Sequence, residues 1–200
     1  MEIKDKKVLG LKLPTDPRWV NLATISLEEI LTDHAYCEQK AASACISLIQ
    51  LYPNKVRLVE ELAPIVTEEW GHFRMVLAEL KKRNLKLGKQ RKDEYVRALS
   101  KFVKTNSNME ERMMEQLLMS ALIEARSCER FRLLSEEIAD EELKVFYHKL
   151  MISEAGHYHL FLDLAREYYD KDRVWECWQK WLEFEKELMS ELEVRGDRMH

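Results

Sequence analysis

Two copies of one metal-binding pattern stand out in this sequence of 200 residues. Glu69 and His72 form one Glu-x-x-His, and Glu154 and His157 form a second. On a helix, each carboxylate and imidazole share one face, one turn apart, and can bind the same metal ion. A single copy is better explained by a salt-bridged surface. Two copies within apolar sequence, where Trp70 is read as a core residue, favour a buried metal site, because a buried carboxylate needs a partner.

A glycine precedes the histidine of each pattern, at Gly71 and Gly156. Glycine inside a helix costs about 1 kcal/mol relative to alanine. A penalty that occurs twice at the same position suggests a close approach of another group or a gap that gives access to the site.

The elements that must position these residues are helices. Five glycines and four prolines are too few for a protein rich in tight turns, and we find no credible strand. We predict one domain over residues 1–200, with an extended leader at 1–25, where Pro14 and Pro17 fall, and a capping box at Ser26 and Glu29. Helices are predicted at 26–51, from Pro64 to about 83 after a short helical piece, near 93–103, and at 109–138, 140–168 and 172–194.

Two helical hairpins and one long connection, over residues 84–108, are typical of a ferritin-like four-helix bundle with additional helices. In such a bundle a dinuclear site takes one more Glu from each of the other two helices. Antiparallel partners lie equally far from their turn. The turn at Pro53 therefore selects Glu38, and the turn at Asp140 selects Glu124 with Glu129 as the alternative. Four carboxylates and two imidazoles suit iron or manganese.

Net charge and cysteine spacing limit the compartment and the partners. The formal net charge is −4, and the four cysteines form no C-x-x-C pair, so we expect no zinc ribbon and no disulfide framework. The first residues lack the apolar core of a signal peptide, and no apolar stretch is long enough to span a membrane. We therefore expect a cytoplasmic protein.

One basic run interrupts this acidic chain without a single carboxylate. Such a run is usually a solvated surface, but it can also contact RNA phosphates. Arg126 and Arg130 are secondary candidates for the same role, or members of ion pairs. The run consists of Lys81, Lys82, Arg83, Lys86, Lys89, Arg91 and Lys92, of which the first four are the candidate substrate-binding residues.

With these residues identified, the sequence resembles the bacterial tRNA-(2-methylthio-N6-isopentenyladenosine) hydroxylase family. Residues 122–131, LIEARSCERF, are the most diagnostic segment, and residues 68–73 and 153–158 support it. The resemblance covers the chain from about Pro14 to its last residue. It implies that the iron ligands are Glu38, Glu69, His72, Glu124, Glu154 and His157.

The resemblance also implies an activity and its partners. The family consists of non-haem di-iron monooxygenases. They hydroxylate the isopentenyl side chain of a hypermodified adenosine in tRNA, using dioxygen and two electrons from a reductase. Two alternatives remain open from the residues alone. One is another ferritin-like di-iron protein of the ferroxidase or peroxidase type, and the other is a helical interaction protein in which the six residues form salt bridges.

Overall fold

The computed structural model describes residues 9–103 and 108–200, and over these residues it is helical without a strand. The all-helical prediction is therefore confirmed. Within the same residues, no helix combines the length and the apolarity that a membrane span requires. Residues 1–8 of the predicted leader lie outside the described residues. The sequence Asn106-Ser107-Asn108 also predicts a helix cap before Met109, and residues 106 and 107 lie outside the described residues as well. The helices are α1 (Arg18–Ile25), α2 (Leu27–Leu51), α3 (Val56–Lys82), α4 (Glu94–Phe102), α5 (Met109–Glu137), α6 (Glu141–Tyr168) and α7 (Lys171–Glu191).

The chain divides into two compact units, each built on one helical hairpin. The first contains the described parts of residues 1–20 and 94–194, together with His200. Its centre is the α5–α6 hairpin, against which α4 and α7 pack. The second contains residues 21–93 and 195–199, and its centre is the α2–α3 hairpin. Each hairpin thus carries one of the two Glu-x-x-His patterns.

Side-chain caps explain where three of the helices begin. The Asn108 side chain accepts a hydrogen bond from the backbone N–H of Glu111 at the start of α5. Asp140 and Asp170 do the same for the first turns of α6 and α7. Such caps satisfy backbone donors that have no partner within the helix. The predicted starts near Met109 and Asp140 are confirmed.

The extended leader was wrong for residues 18–25, which form α1. Pro17 suggests an interruption of helical structure when read from the sequence. Proline is nevertheless favourable at the first turn of a helix, where its missing N–H costs nothing. Asp16 completes this start, because its carboxylate accepts a hydrogen bond from the backbone N–H of Arg18. A proline that follows an aspartate can begin a helix as readily as it can interrupt one.

The predicted boundaries at Ser26 and Pro64 also need correction. Ser26 is the N-cap of α2, but its side chain makes no capping hydrogen bond, and its backbone N–H instead donates to the carbonyl of Leu22 in α1. The backbone carbonyl of Leu22 in α1 thus accepts the Ser26 N–H, which the Glu29 side chain would accept in a capping box. Pro64 lies inside α3, which is continuous from Val56. It occupies an exposed position there.

The buried stripes of α3 and α6 are apolar except at their middle. In each stripe a Glu and a His take two consecutive positions that would otherwise hold core residues. The α3 stripe is Leu58, Leu62, Ile65, Glu69, His72, Val76 and Leu80. That of α6 includes Leu143, Tyr147, Leu150, Glu154, His157, Phe161 and Leu164. The spacing of three and four residues places the ionisable groups at mid-height of each hairpin.

Candidate metal centre

The α2–α3 hairpin gathers two carboxylates and one imidazole into a buried cluster. Glu38, Glu69 and His72 each offer a ligand atom, and these atoms lie within 4.8 Å of one another. The Nδ1 atom of His72 is 3.4 Å from a Glu38 oxygen and 3.6 Å from a Glu69 oxygen. All three side chains are buried, with exposures of 4%, 0% and 6%. Glu38, which the position of the Pro53 turn selects from the sequence, thus lies close to Glu69.

The α5–α6 hairpin builds a matching cluster from its own residues. Glu124, Glu154 and His157 offer ligand atoms that also lie within 4.8 Å of one another. The Nδ1 atom of His157 is 3.5 Å from a Glu154 oxygen. These side chains are buried as well. Each hairpin therefore holds one isolated Glu beside the Glu and the His of a Glu-x-x-His pattern.

Glu129, the alternative to Glu124, belongs to a different buried network. One of its oxygens accepts a 3.0 Å hydrogen bond from the backbone N–H of Thr15, and the other forms an ion pair with Arg126. The fully buried Arg126 also donates to Glu185 of α7 and to the carbonyl of Leu13. Glu129 and Arg126 together thus tie the N-terminal segment and α7 to α5, and Glu129 is separate from the Glu124 cluster.

Arg126 takes the ion-pair role, and Arg130 is buried against an aromatic ring, so neither takes the RNA-binding role. Arg126 is fully buried between two carboxylates. The Arg130 guanidinium lies 4.5 Å from the centre of the Trp19 ring, a cation–π contact. Neither side chain is available to a phosphate on the protein surface.

A buried thiol lies near each cluster. Burial and the charge of Glu69 raise the pKa of Cys45 to about 12. Burial and the charge of Glu154 raise the pKa of Cys128 in the same way, also to about 12. Neither sulfur is among the ligand atoms that lie within 4.8 Å of one another in the two clusters. The four cysteines of the chain, all within the described residues, form no disulfide.

The residues present fit a hard transition-metal ion. Each cluster combines two carboxylates and one imidazole, the oxygen and nitrogen donors that iron and manganese accept. Desolvating two carboxylates so close together is costly, because like charges repel more strongly away from water. A divalent cation between them would offset both the loss of solvation and the repulsion between the two carboxylates. The buried clusters are therefore compatible with metal binding.

The sequence leaves open whether His34 lies beside the proposed ligands or on the surface, and the structure places it beside Glu38. Its Nε2 atom is 2.6 Å from the Glu38 carboxylate, and its side chain is fully buried. The signal was available, because His34 and Glu38 are four residues apart on α2 and so share a face. The sequence also leaves open whether His159 lies beside the proposed ligands or on the surface, and the structure places it on the surface. Tyr36 is a candidate from the sequence for a hydrogen bond to the site, but its hydroxyl donates to the carbonyl of Gly88.

The glycines before each His do not mark a close approach. A Cβ atom built on Gly71 or on Gly156 would meet nothing within 4 Å. The expectation that these glycines allow a close approach of another group was therefore wrong. The expectation that they leave a gap giving access to the site remains a prediction.

The basic run lies at the end of α3 and in the connection that follows, and all five of its lysines are exposed. Thr32 accepts a hydrogen bond from the backbone N–H of Gly88, which fixes the middle of the connection to α2. Two arginines of the run have internal partners. Arg83 pairs with Glu79, and Arg91 pairs with Asp197.

Comparison with known proteins agrees with this arrangement. A solved structure from Synechococcus, described as protein 43 with aldehyde deformylating oxygenase activity, superimposes with a TM-score of 0.89 and is 34% identical. The match covers 95% of this chain and 94% of that chain. That protein has a ferritin-like fold, so the fold class predicted from the sequence is confirmed.

Sequence relatives identify the family. A tRNA 2-(methylsulfanyl)-N(6)-isopentenyladenosine(37) hydroxylase of Pseudomonas putida is 37% identical, over 84% of this chain and 80% of the relative. The enzyme of that name from Salmonella typhimurium is 28% identical, over 78% of this chain and 75% of the relative. The family model described as tRNA-(MS[2]IO[6]A)-hydroxylase (MiaE) matches residues 3–200. The chain belongs to this family of tRNA-hydroxylating enzymes.

Proposed function

We propose that this protein hydroxylates the isopentenyl side chain of 2-methylthio-N6-isopentenyladenosine in tRNA, as a di-iron monooxygenase. The metal part of the proposal rests on the buried ligand clusters, one within each hairpin. Glu38, Glu69 and His72 form one buried cluster, and Glu124, Glu154 and His157 form its counterpart. Membership of the hydroxylase family supports the substrate.

In this proposal the six residues hold one pair of irons. Ferritin-like di-iron proteins use one Glu from each of two helices and a Glu-x-x-His from each of the other two, all directed inward. This chain has that set on α2, α3, α5 and α6, one ligand group per helix. The ferritin-like fold supports the inference that the two clusters serve one centre.

When bound, a di-iron centre supplies the activation of dioxygen and the C–H oxidation, which protein side chains cannot perform. The residues of this chain hold and orient the ligands. His34 fixes one oxygen of Glu38, so that the other oxygen faces His72. The apolar residues of the α3 and α6 stripes keep bulk water away from the carboxylates.

The proposed reaction is balanced by an external reductant. The isopentenyl C–H bond, one dioxygen, two electrons and two protons give the alcohol and one water. One oxygen atom enters the C–H bond, and the other leaves as water. The electrons come from a reductase, which is the protein partner in the proposal, and tRNA is the substrate.

The basic run supports RNA binding in this proposal. Lys81 and Lys82 lie in the last turn of α3, and Lys86 lies in the connection, all exposed to solvent. Lysines in such positions can contact phosphates of the tRNA backbone. Arg83, the fourth candidate, contributes less, because its guanidinium is held by Glu79.

Mass analysis of nucleosides tests the proposed function directly. Iron-loaded protein, a chemical or enzymatic reductant and air are incubated with tRNA that carries the prenylated nucleoside. We expect a gain of one oxygen on that nucleoside, and no gain without reductant. Glu124→Gln should abolish the product, whereas Glu61→Gln, which changes an exposed carboxylate on α3, should retain it. Unchanged nucleoside with iron-loaded wild-type protein contradicts the proposal.

A second substrate separates the proposed activity from its nearest competitors. Because the similar Synechococcus protein is described as having aldehyde deformylating oxygenase activity, an aldehyde is offered under the same conditions. We expect the tRNA nucleoside to be the better substrate. Deformylation of the aldehyde without change in the nucleoside, or turnover of iron or peroxide alone, would assign a different di-iron function.

A further inference from the structure

Helix α3 carries a row of aromatic, cationic and aliphatic side chains outside its buried stripe. Trp70, Arg74, Leu77 and Lys81 follow one another at spacings of four, three and four residues, so they share one side of the helix. Trp70 is 47% exposed, and Arg74 and Lys81 are exposed as well. We call these four residues the α3 flank.

The exposed tryptophan contradicts its assignment to the core from sequence. Its ring stacks on Phe73, with 4.8 Å between the ring centres and 26° between the planes. This stacking sets the indole against Phe73 and leaves part of its surface exposed to solvent. An exposed aromatic ring is a typical platform for a nucleobase, because every base has a π-face that can stack on it.

The far end of the α3 flank leads into an open groove with a cavity volume of about 340 Å³. Leucines provide its apolar lining, and Lys81 and Lys86 contribute the positive charge. From Trp70 to Lys81 the helix rises about 16 Å. The platform and the groove therefore form one elongated surface within the α2–α3 unit. The lining residues are Leu77, Leu80, Lys81, Asn84, Leu85, Lys86 and Leu87.

We propose that the α3 flank is a binding surface for single-stranded RNA, in which a base stacks on Trp70 and backbone phosphates contact Arg74 and Lys81. The inference rests on the proposed function, since it specifies how the tRNA substrate is held. Trp70 lies next to the proposed ligand Glu69 in sequence. A base stacked there is thus held by the same helix turn that carries the proposed metal ligands.

Charge favours RNA over a protein as the occupant. The surface has cations at Arg74, Lys81 and Lys86, and the nearby carboxylate of Glu79 is already paired with Arg83. Single-stranded nucleic acid is bound by this combination of aromatic rings and cations along a groove. A second copy of this chain would bring the same positive charge to the contact, which disfavours self-association through this surface.

The test measures binding to an anticodon stem-loop RNA that carries the prenylated adenosine, by fluorescence anisotropy over a series of salt concentrations. Trp70→Ala should weaken binding about 5- to 150-fold, the range for loss of one stacked base. Trp70→Phe should restore most of that loss, because a ring remains. Arg74→Ala and Lys81→Ala should each reduce the slope of log K against log salt by about 0.7. Trp175→Ala, which removes a 60% exposed tryptophan on α7, is the matched control and should bind as the wild type does.

The outcomes separate this inference from the proposed function. Normal RNA binding by Trp70→Ala overturns the α3 flank, while hydroxylation by the wild type still upholds the activity. A change in oligomeric state of Trp70→Ala, seen by sedimentation, together with unchanged RNA binding would assign the surface to a second copy instead. A wild type that hydroxylates no nucleoside contradicts the proposed function itself, whatever the RNA affinity of the variants. Circular dichroism of each variant confirms that the helices are retained.

Discussion

Two glutamates five residues apart on α5 should respond in opposite ways to the same conservative change. Glu124 lies in the cluster with Glu154 and His157, whereas Glu129 binds Arg126 and the backbone of Thr15. Glu→Gln keeps the size of each side chain and removes only its charge. We therefore expect Glu124→Gln to lose metal while keeping its stability, and Glu129→Gln to lose stability while keeping metal.

The magnitude for Glu129→Gln follows from its contacts. The change weakens a buried, charge-assisted contact to Arg126 and a hydrogen bond to Thr15, while Glu185 still pairs with Arg126. Hydrogen bonds to charged groups contribute about 1.5–3 kcal/mol each. We take a total of about 3 kcal/mol for the free energy of unfolding. For a chain of this size that corresponds to a fall in Tm of about 6–12 °C.

The magnitude for Glu124→Gln concerns metal affinity. Loss of groups that only orient a ligand already costs about 10–100-fold in affinity, so loss of a ligand should cost at least about 100-fold. The metal-free variant should unfold at the wild-type temperature or slightly higher, because a buried carboxylate has been replaced by a neutral amide.

Two measurements on the same samples check both expectations. Iron per chain is determined after iron-replete expression, and Tm is determined by calorimetry on metal-free protein. Iron bound at the wild-type level by Glu124→Gln would refute the assignment of Glu124 as a ligand. Loss of iron from Glu129→Gln at unchanged Tm would show that the helix-α5 ligand had been chosen wrongly.

Three further substitutions test separate parts of the account. His34→Ala should lower the affinity for Co²⁺, followed by visible absorption, about 10–100-fold, whereas His159→Ala should not change it, because His34 contacts Glu38 and His159 is exposed to solvent. Gly156→Ala should raise the free energy of unfolding by about 0.5–1 kcal/mol in urea titrations, since its Cβ meets open space; a clear destabilisation would contradict that geometry. Gly196→Ala should lower Tm, because its Cβ would clash with the backbone of Leu22, and an unchanged Tm would mean that this close approach does not form.

The sequence predicted the candidate ligands because metal chemistry imposes a pattern that few alternatives share. Glu69 and His72 stand three apart in an apolar stripe, and counting from the Pro53 turn then selects Glu38. A hairpin with a short turn fixes which residues are level with one another, so this step needs no knowledge of side-chain contacts.

Features that depend on competition between local interactions were not predictable in the same way. Ser26 and Glu29 have the spacing of a capping box, but the carbonyl of Leu22 in the preceding helix takes the backbone N–H. Trp70 is a large apolar residue of the kind that usually lies in a core. It follows Glu69 of the buried stripe in sequence, but its own side chain lies outside that stripe and is exposed. Its exposure depends on what packs beside α3, and the periodicity of one helix does not specify that.

In the proposed reaction this chain transfers oxygen from dioxygen to a prenyl group in tRNA. One turnover of iron-loaded, chemically reduced protein with prenylated tRNA, in heavy-isotope dioxygen and ordinary water, measures the source of that oxygen. We expect a product nucleoside that contains one heavy oxygen atom. A product whose added oxygen comes from water, or the absence of any oxygenated nucleoside, would contradict the proposed reaction.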